Sequence, residues 1–491
     1  MIRARALVWI GVLTSMILLT LSVLGQKEQK PWWDHRPTEQ GLWDYSTMTD
    51  DRIVLRYPDI MPEEAASALL ENRRAALEFV EDFLQVKLEK PLTIQVNVSL
   101  IATAGEVIAS LQPEILFHIP FYRLQGASPL SEGNAHEETH VVATHAWSPP
   151  LCRFLGEGIA VAIDFCSRPR TTYNPHLFSK GLALMDELMP IESLFLQRFD
   201  PLLPAPRIAL YTYVESASFV LFLIDRYGLE KLKQLNEVSG LPLSMFEEQV
   251  CKIYDQGFAD LEQDWLLFLE GYAVGQEARA RHFAQAMFDF SDRVVDSLNE
   301  LEEYWKRSPF QLVSPSKKIS DEYGILTRLL VALGNFSDQG ITSSEADEAY
   351  EAFEKALTAV ESSLTLWLRA IQMFESVLNL IVDVPDYEDV IAKLEEAQTL
   401  YRQVGNNGMV TRTSEYIAAF LHLQQGEIAV MHGNHDLAQQ SLSMALGLFS
   451  KLDEQGIIHH VKRLLELSRH VVTYDAFRLF AFGVFFLLIL A

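Results

Sequence analysis

The chain has 491 residues, of which 40 are Lys or Arg and 66 are Asp or Glu, so its formal net charge is −26. Apolar residues make up 49% of the chain, which is enough to bury large cores and excludes a disordered or fibrous protein. The acidic balance argues against nucleic acid as a partner, because phosphate binding requires a basic surface. Three cysteines are too few for a disulfide scaffold, and the length predicts two or three domains.

Both ends of the chain are hydrophobic. Residues 6–25 are almost wholly apolar and follow Arg3 and Arg5, a layout typical of a cleavable secretory signal or of an N-terminal membrane anchor. The sequence leaves these two alternatives for residues 1–25 open, and both predict that the rest of the chain is exported. Residues 476–491 form a second hydrophobic segment, which is short for a membrane span and is a possible C-terminal anchor. We therefore expect a protein attached to the cell membrane, with its main body extracytoplasmic.

The first half of the chain mixes strand and helix patterns. Residues 26–50 lack periodicity and are predicted to be a linker. Helical spacing and an early proline predict a helix over residues 62–86. Alternating or β-branched runs predict short strands at residues 52–57, 91–99 and 115–119. Residues 51–275 are accordingly predicted to be an α+β domain, with a small mixed sheet ahead of a helical part.

Residues 276–475 read as amphipathic helices throughout, which predicts a second, all-α domain. A repeat is visible, because one set of residues recurs 48 positions after another: Ala438, Leu442, Ala445, Phe449 and Leu452 follow Val390, Leu394, Ala397, Tyr401 and Val404. A weaker copy begins at Ala349, 41 positions earlier. Small residues such as Gly426 and Gly433 in the best unit resemble the tetratricopeptide repeat, although both spacings exceed its period of about 34. A plain helical bundle is the alternative. Either form offers a surface for a protein partner.

Residues 136–140 read HEETH, which is the most informative motif in the chain. On a helix, positions i and i+4 lie on one face about 6 Å apart, so His136 and His140 can reach one zinc ion. Glu137 lies between them and can act on a water molecule held at the metal. Catalytic zinc needs a third protein ligand, and Glu157 follows seventeen residues after His140, beyond a Pro149-Pro150 turn. A second helix beginning near Leu151 can return Glu157 to the histidines.

These motifs resemble the gluzincin metallopeptidases. HEETH followed by residues 154–160 (FLGEGIA) is similar to the peptidase MA-like domain of exported bacterial proteins, with Phe154 in place of a common Trp. Residues 213–228, which end in a Tyr-Gly pair, resemble a downstream helix of that family. The resemblance covers roughly residues 51–273. It implies a thermolysin-like fold in which residues 115–119 are the edge strand that pairs with an extended substrate.

The resemblance also implies roles for individual residues. His136, His140 and Glu157 would bind one Zn²⁺ per chain, and Glu137 would be the general base in the hydrolysis of a peptide or protein substrate. Tyr213 would stabilise the oxyanion, with Tyr211 as the alternative donor. No Gly-x-Met-Glu-Asn motif of the related aminopeptidases is seen, which favours an endopeptidase. The rival hypothesis is a catalytically silent pseudopeptidase that acts as a scaffold through its helical repeats.

Glu138 departs from the usual motif, because this position is commonly uncharged. A buried carboxylate without a partner is costly, so we expect either an arginine partner such as Arg153 or an exposed helix face. Other candidates are weaker. His118 either lines the cleft or lies on a strand surface, and His145 points away from the motif and is predicted to be packing or surface. A disulfide between Cys152 and Cys166 is not expected, since one helix would hold them about 21 Å apart.

Overall fold

The computed structural model describes residues 43–469 except for residues 102–103, 108–112, 125–134, 148–151, 169–171, 197–204, 242, 308–312, 336–341, 381–385, 453 and 455. A five-stranded mixed sheet comes first in this part of the chain. Its strands are β1 (Tyr45–Thr49), β2 (Ile53–Pro58), β3 (Leu92–Ser99), β4 (Ala104–Val107) and β5 (Glu114–Pro120). The spatial order is β1-β2-β3-β5-β4. β2, β3 and β5 run parallel, and β4 pairs antiparallel with β5.

Two strands differ from the sequence prediction. Residues 115–119 are not an edge strand, because β5 lies between β3 and β4, and the edge on that side is β4. Strand β1 lies inside the segment predicted to be a linker. Both β1 and β4 are four or five residues long and have no run of β-branched residues, so their pairing comes from neighbouring strands rather than from a local signal. The predicted strands at 52–57 and 91–99 are confirmed as β2 and β3.

Helices make up the rest of the first half. Helix α1 (Glu63–Leu84) confirms the prediction for residues 62–86 and contacts β2. The others are α2 (Phe121–Leu124), α3 (His136–Ala146), α4 (Arg153–Ser167), α5 (Pro175–Leu184), α6 (Ile191–Leu196), α7 (Ala205–Tyr227), α8 (Leu229–Glu237), α9 (Leu243–Tyr254) and α10 (Phe258–Gly271). Helix α3 packs against α1, α4, β4 and β5, which places the HEETH sequence beside the β4 edge of the sheet.

Helix α7 contains a π-helical turn at Tyr211–Glu215 and packs against α4. Among the residues that the structure describes, it is the one helix long and apolar enough to cross a membrane, and 67% of its most apolar window is buried inside the protein. The segments predicted to be a signal or anchor, residues 1–25 and 476–491, lie outside the described residues.

Beyond residue 276 the described elements are helices, as predicted. They are α11 (Glu277–Phe290), α12 (Asp296–Arg307), α13 (Lys317–Gly334), α14 (Ser343–Leu380), α15 (Tyr387–Gln403), α16 (Asn407–Met431) and α17 (His435–Leu452), and residues 456–469 are also helical. A π-helical turn, Ser291–Val295, joins α11 to α12. The described part of the chain is therefore mixed α and β, with one small sheet followed mainly by helices.

The repeated residues are buried at equivalent positions on α15 and α17, except that Val404 lies just after the end of α15. Helix α16 follows α15 in the sequence and contacts both α15 and α17. A side chain at Gly426 of α16 would meet Leu442 of α17 at 2.6 Å, which explains the small residue there. Gly433 has a positive φ of 71° where the chain turns between these helices. The weaker copy falls on α14, which has 38 residues and is longer than a repeat helix. A tetratricopeptide-like architecture stays a prediction.

Helices α11 and α12 are packed against the first half of the chain. Glu302 of α12 accepts hydrogen bonds from the backbone N–H groups of Leu100 and Ile101, at 2.9 and 3.0 Å, just past the end of β3. Trp305 donates from its indole to the Val98 carbonyl at 3.2 Å. Gly181 of α5 lies so close to α11 that an added Cβ would be 2.2 Å from the Ala280 carbonyl oxygen. The boundary predicted near residue 275 is therefore crossed by buried contacts, and it stays a prediction.

Candidate metal centre

Both histidines of the HEETH sequence lie in the first turns of α3. The helix begins at His136, and Asp164 of α4 accepts a hydrogen bond from the N–H of Ala135 at 2.8 Å, which anchors this helix end to α4. The two imidazole rings are nearly perpendicular, with centroids 4.8 Å apart, and their Nε2 atoms are separated by 3.2 Å. The i, i+4 spacing thus brings two nitrogen ligands together on one helix face.

Helix α4 returns Glu157 to these rings. Its Oε2 atom is 3.2 Å from Nε2 of His140 and 3.4 Å from Nε2 of His136. The close approach of α4 and α7 depends on Gly158, since a Cβ there would lie 3.0–3.1 Å from Ser216. The structure therefore brings together the three side chains that the sequence nominated as ligands, and all three are mostly buried, with 16–18% of each exposed.

Charge around the three groups favours a cation. Burial lowers the pKa of His136, but the hydrogen bond to Glu157 and the carboxylates of Glu137 and Glu157 raise it above the ordinary value. Burial raises the pKa of Glu157, yet its hydrogen bonds to the two imidazoles hold that pKa well below the usual range. Glu157 is therefore an anion at neutral pH. Its Oε2 lies 3.2–3.4 Å from the two ring nitrogens, a spacing that allows all three atoms to contact one ion.

Glu137 is 7% exposed and lies at the centre of the motif. A carboxylate oxygen of Glu137 and one nitrogen of each histidine lie within 4.8 Å of one another. His136, Glu137 and His140 are therefore also close enough together to hold a metal ion. We take Glu157 as the candidate third ligand, because its Oε2 lies 3.4 and 3.2 Å from the Nε2 atoms of His136 and His140.

Glu138 has a buried arginine partner, but not the predicted one. Its carboxylate accepts two hydrogen bonds from Nη1 of Arg73, at 3.1 and 3.2 Å, and neither side chain is more than 1% exposed. The Arg73 guanidinium also lies over the Phe117 ring, 5.1 Å from its centroid. Burial raises the pKa of Glu138, and the positive charge of Arg73 opposes that rise. The prediction of Arg153 as partner is wrong, because residue 138 faces α1 rather than α4.

Tyr213 lies at the rim of the candidate metal centre. Its ring is stacked on that of His136, with centroids 6.0 Å apart and planes inclined by 10°. Burial and the nearby Glu157 carboxylate raise the pKa of this phenol. Tyr211 is 2% exposed and packs against Phe288, so the structure leaves Tyr213 as the available phenol of the two. Both residues lie in the π-helical turn of α7, and such turns recur at functional sites.

Sequence reasoning gave no role at the centre to Asp164, and it named Arg153 only as a possible partner of Glu138. Arg153 precedes Glu157 by four residues, and it donates from Nη2 to the hydroxyl of Tyr213 at 3.4 Å. Asp164 follows Glu157 by seven residues and holds the start of α3. Helical spacing could have found both, since residues four and seven apart share one helix face.

The weaker candidates lie elsewhere. His118 is buried on β5 between Asn97 and Ala104 of the flanking strands, where burial, with a contribution from Lys306, lowers its pKa to about 4. The expectation of a cleft or strand-surface histidine is therefore wrong. His145 is exposed, in agreement with the prediction. Cys152 and Cys166 are both free thiols.

The chain was compared with protein-family models, with curated proteins and with solved structures, and none of them matches it. The residues of the candidate metal centre can hold a metal ion between two neutral imidazole nitrogens and one carboxylate, with a second carboxylate beside them.

Proposed function

We propose that this protein is an exported, membrane-attached zinc metallopeptidase of the gluzincin type. The observation that carries the proposal is the triangle of ligand atoms on His136, His140 and Glu157, with sides of 3.2, 3.2 and 3.4 Å. A tetrahedral zinc ion with bonds of about 2.0–2.1 Å has ligand atoms roughly 3.3 Å apart. The residues present therefore fit zinc in both ligand type and spacing, and two His with one Glu is a catalytic rather than a structural ligand set.

The catalytic roles follow from the chemistry of the side chains. Zinc, when bound, would supply Lewis-acid activation of a water molecule. Glu137 would accept a proton from the water molecule that attacks the peptide carbonyl carbon, and would return that proton to the leaving amine. Tyr213 donates a hydrogen bond to the carbonyl oxygen as negative charge develops there. Asp164 keeps α3, and with it both histidines, in register with Glu157.

An extended peptide is the substrate that suits the sheet edge beside the candidate metal centre. Helix α3 contacts β4, which is the edge strand on that side of the sheet. An edge strand leaves backbone N–H and C=O groups on its outer side for pairing with another chain. Pairing with the substrate backbone would bind peptides of varied sequence, and it is compatible with cleavage within a chain. We therefore assign the pairing with an extended substrate to β4, and no longer to residues 115–119.

The rival proposal, a scaffold without catalysis, draws on the helical second half. Helix α16 exposes an apolar stripe of Leu421, Ile428 and Met431, which are 45–75% accessible to solvent. Such a stripe suits a protein partner, and a partner there is compatible with either function. The intact Glu137 favours the enzyme, because a structural metal site has no use for a carboxylate beside its ligands. The membrane attachment rests on the hydrophobic segments at residues 1–25 and 476–491.

The test uses the full-length chain in detergent. We expect about one zinc per chain by elemental analysis, lost in His140→Ala and retained in Glu137→Gln. Wild type should cleave members of a peptide library, and both a chelator and Glu137→Gln should abolish cleavage. Zinc binding by a wild type that cleaves no peptide would reject the enzyme in favour of the scaffold. Absence of zinc binding would reject the metal centre itself.

A further inference from the structure

Arg153 borders the candidate metal centre and has no role in the mechanism above. It is the first residue of α4, and its side chain is 60% exposed. Its Nη2 lies 3.4 Å from the Tyr213 hydroxyl, and its Nε lies 3.9 Å from Oε1 of Glu157. The guanidinium carbon also lies 5.8 Å from the centroid of the Tyr213 ring. One cation thus contacts both the phenol and the carboxylate ligand.

The hydrogen bond between Arg153 and Tyr213 has only one possible direction. A guanidinium carries five N–H donors and no acceptor, so the phenol oxygen must accept from it. The hydroxyl proton of Tyr213 must then be donated to a different acceptor. Burial raises the pKa of this phenol, and the nearby Glu157 carboxylate raises it further, as expected where a negative charge faces the hydroxyl group. The Tyr213 ring also lies parallel to that of His136, with centroids 6.0 Å apart.

We propose that Arg153 is a positioning residue that turns the Tyr213 hydroxyl proton toward the scissile carbonyl oxygen of a bound peptide, an inference that rests on the proposed peptidase function. By occupying the phenol oxygen as an acceptor, Arg153 makes Tyr213 a donor toward the centre before substrate arrives. Its positive charge also polarises the phenol, which strengthens the donated hydrogen bond as the carbonyl oxygen gains negative charge. Arg153 acts through Tyr213 and needs no contact with the substrate.

A double-mutant cycle on the zinc-loaded full-length chain tests this dependence. Tyr213→Phe should lower kcat by about 10²–10³, the loss typical of one oxyanion donor. Arg153→Met should lower kcat by about 10–100-fold and change KM by less than about threefold, because the bond matters most when charge develops. The double variant should be no slower than Tyr213→Phe alone. Arg153→Lys, which can still donate to the phenol, should recover part of the loss.

A binding measurement supplies a readout that does not depend on turnover. A phosphinic peptide imitates the charged tetrahedral state, whereas the matching amide peptide imitates the ground state. We expect Arg153→Met to weaken binding of the phosphinic peptide about 10–100-fold. Binding of the amide peptide, measured in the Glu137→Gln background, should change less than about threefold. Arg369→Met is the matched control, since Arg369 is 62% exposed and pairs with Glu396 in the helical second half.

Three results would overturn the inference while leaving the peptidase intact. They are an unchanged kcat in Arg153→Met, losses that multiply in the double variant, and a rise in KM at constant kcat, which would mean that Arg153 binds the substrate directly. A wild type that neither cleaves peptides nor binds the phosphinic peptide would instead overturn the proposed function, and with it this inference. The pattern of failure therefore distinguishes the two.

Discussion

The ion pair between Arg73 and Glu138 offers a direct test of how helix α3, which carries the HEETH sequence, is held in place. It joins α1 to the first turn of α3, and both side chains are essentially inaccessible to solvent. Replacing Arg73 with Met leaves a buried carboxylate without its counter-charge. The removal of one partner from a buried pair costs about 3–5 kcal/mol of unfolding free energy. We expect Arg73→Met to lose that amount in denaturant unfolding of the metal-free protein.

The adjacent Arg74 provides the control. Arg74 is 39% exposed and pairs with Asp50 and Asp51 at the surface. A pair of this kind contributes about 0–1 kcal/mol, so Arg74→Met should lose little. The double variant Arg73→Met with Glu138→Leu should recover most of the loss, because no buried charge remains. Equal losses in Arg73→Met and Arg74→Met, or additive losses in the double variant, would refute the reasoning.

The stability lost in Arg73→Met should depend on pH, and the pKa of Glu138 sets the direction of that dependence. Burial already raises the folded-state pKa of Glu138, and loss of Arg73 removes the charge that opposes the rise. A carboxyl whose folded-state pKa exceeds its unfolded value is protonated preferentially in the folded state, so stability falls as pH increases through that interval. The deficit of Arg73→Met should therefore shrink as pH is lowered from about 8 toward about 5. A deficit that grows on acidification would contradict this account.

Three further predictions concern packing and the metal. Gly181→Ala should lose about 1–3 kcal/mol of stability in denaturant unfolding, because the added Cβ would overlap the Ala280 carbonyl, whereas Gly271→Ala, with open space around it, should lose little. Glu302→Ala should lose about 1–3 kcal/mol by leaving two amides past the end of β3 without their acceptor, and the neighbouring surface substitution Glu303→Ala should stay within about 0.5 kcal/mol. A chelator should lower the thermal midpoint of wild type, since a ligand that binds the folded state stabilises it, and it should leave a variant lacking one histidine ligand unchanged.

Local patterns in the sequence were enough to predict the main elements and to nominate the three side chains that the structure brings together at the candidate metal centre. The strands β2 and β3, the helix α1 and the helical second half follow from periodicities that act within one segment. The two histidines meet because a helix turn has a constant geometry, and Glu157 could be nominated from a second short motif. These inferences need only neighbours in the sequence, which is why they required no tertiary structure.

Contacts between distant segments could be decided only by the fold. The partner of Glu138 is 65 residues away, on a helix that packs over α3 because of the sheet beneath both. The edge of the sheet is a four-residue strand whose position depends on its pairing with β5, and not on its own residues. Residues two positions apart point to nearly opposite sides of a helix, and the packing of α7 decides that Tyr213 faces the candidate metal centre and Tyr211 the core. Each of these outcomes depends on which surfaces pack together, and the packing energy comes from many residues rather than from one sequence motif.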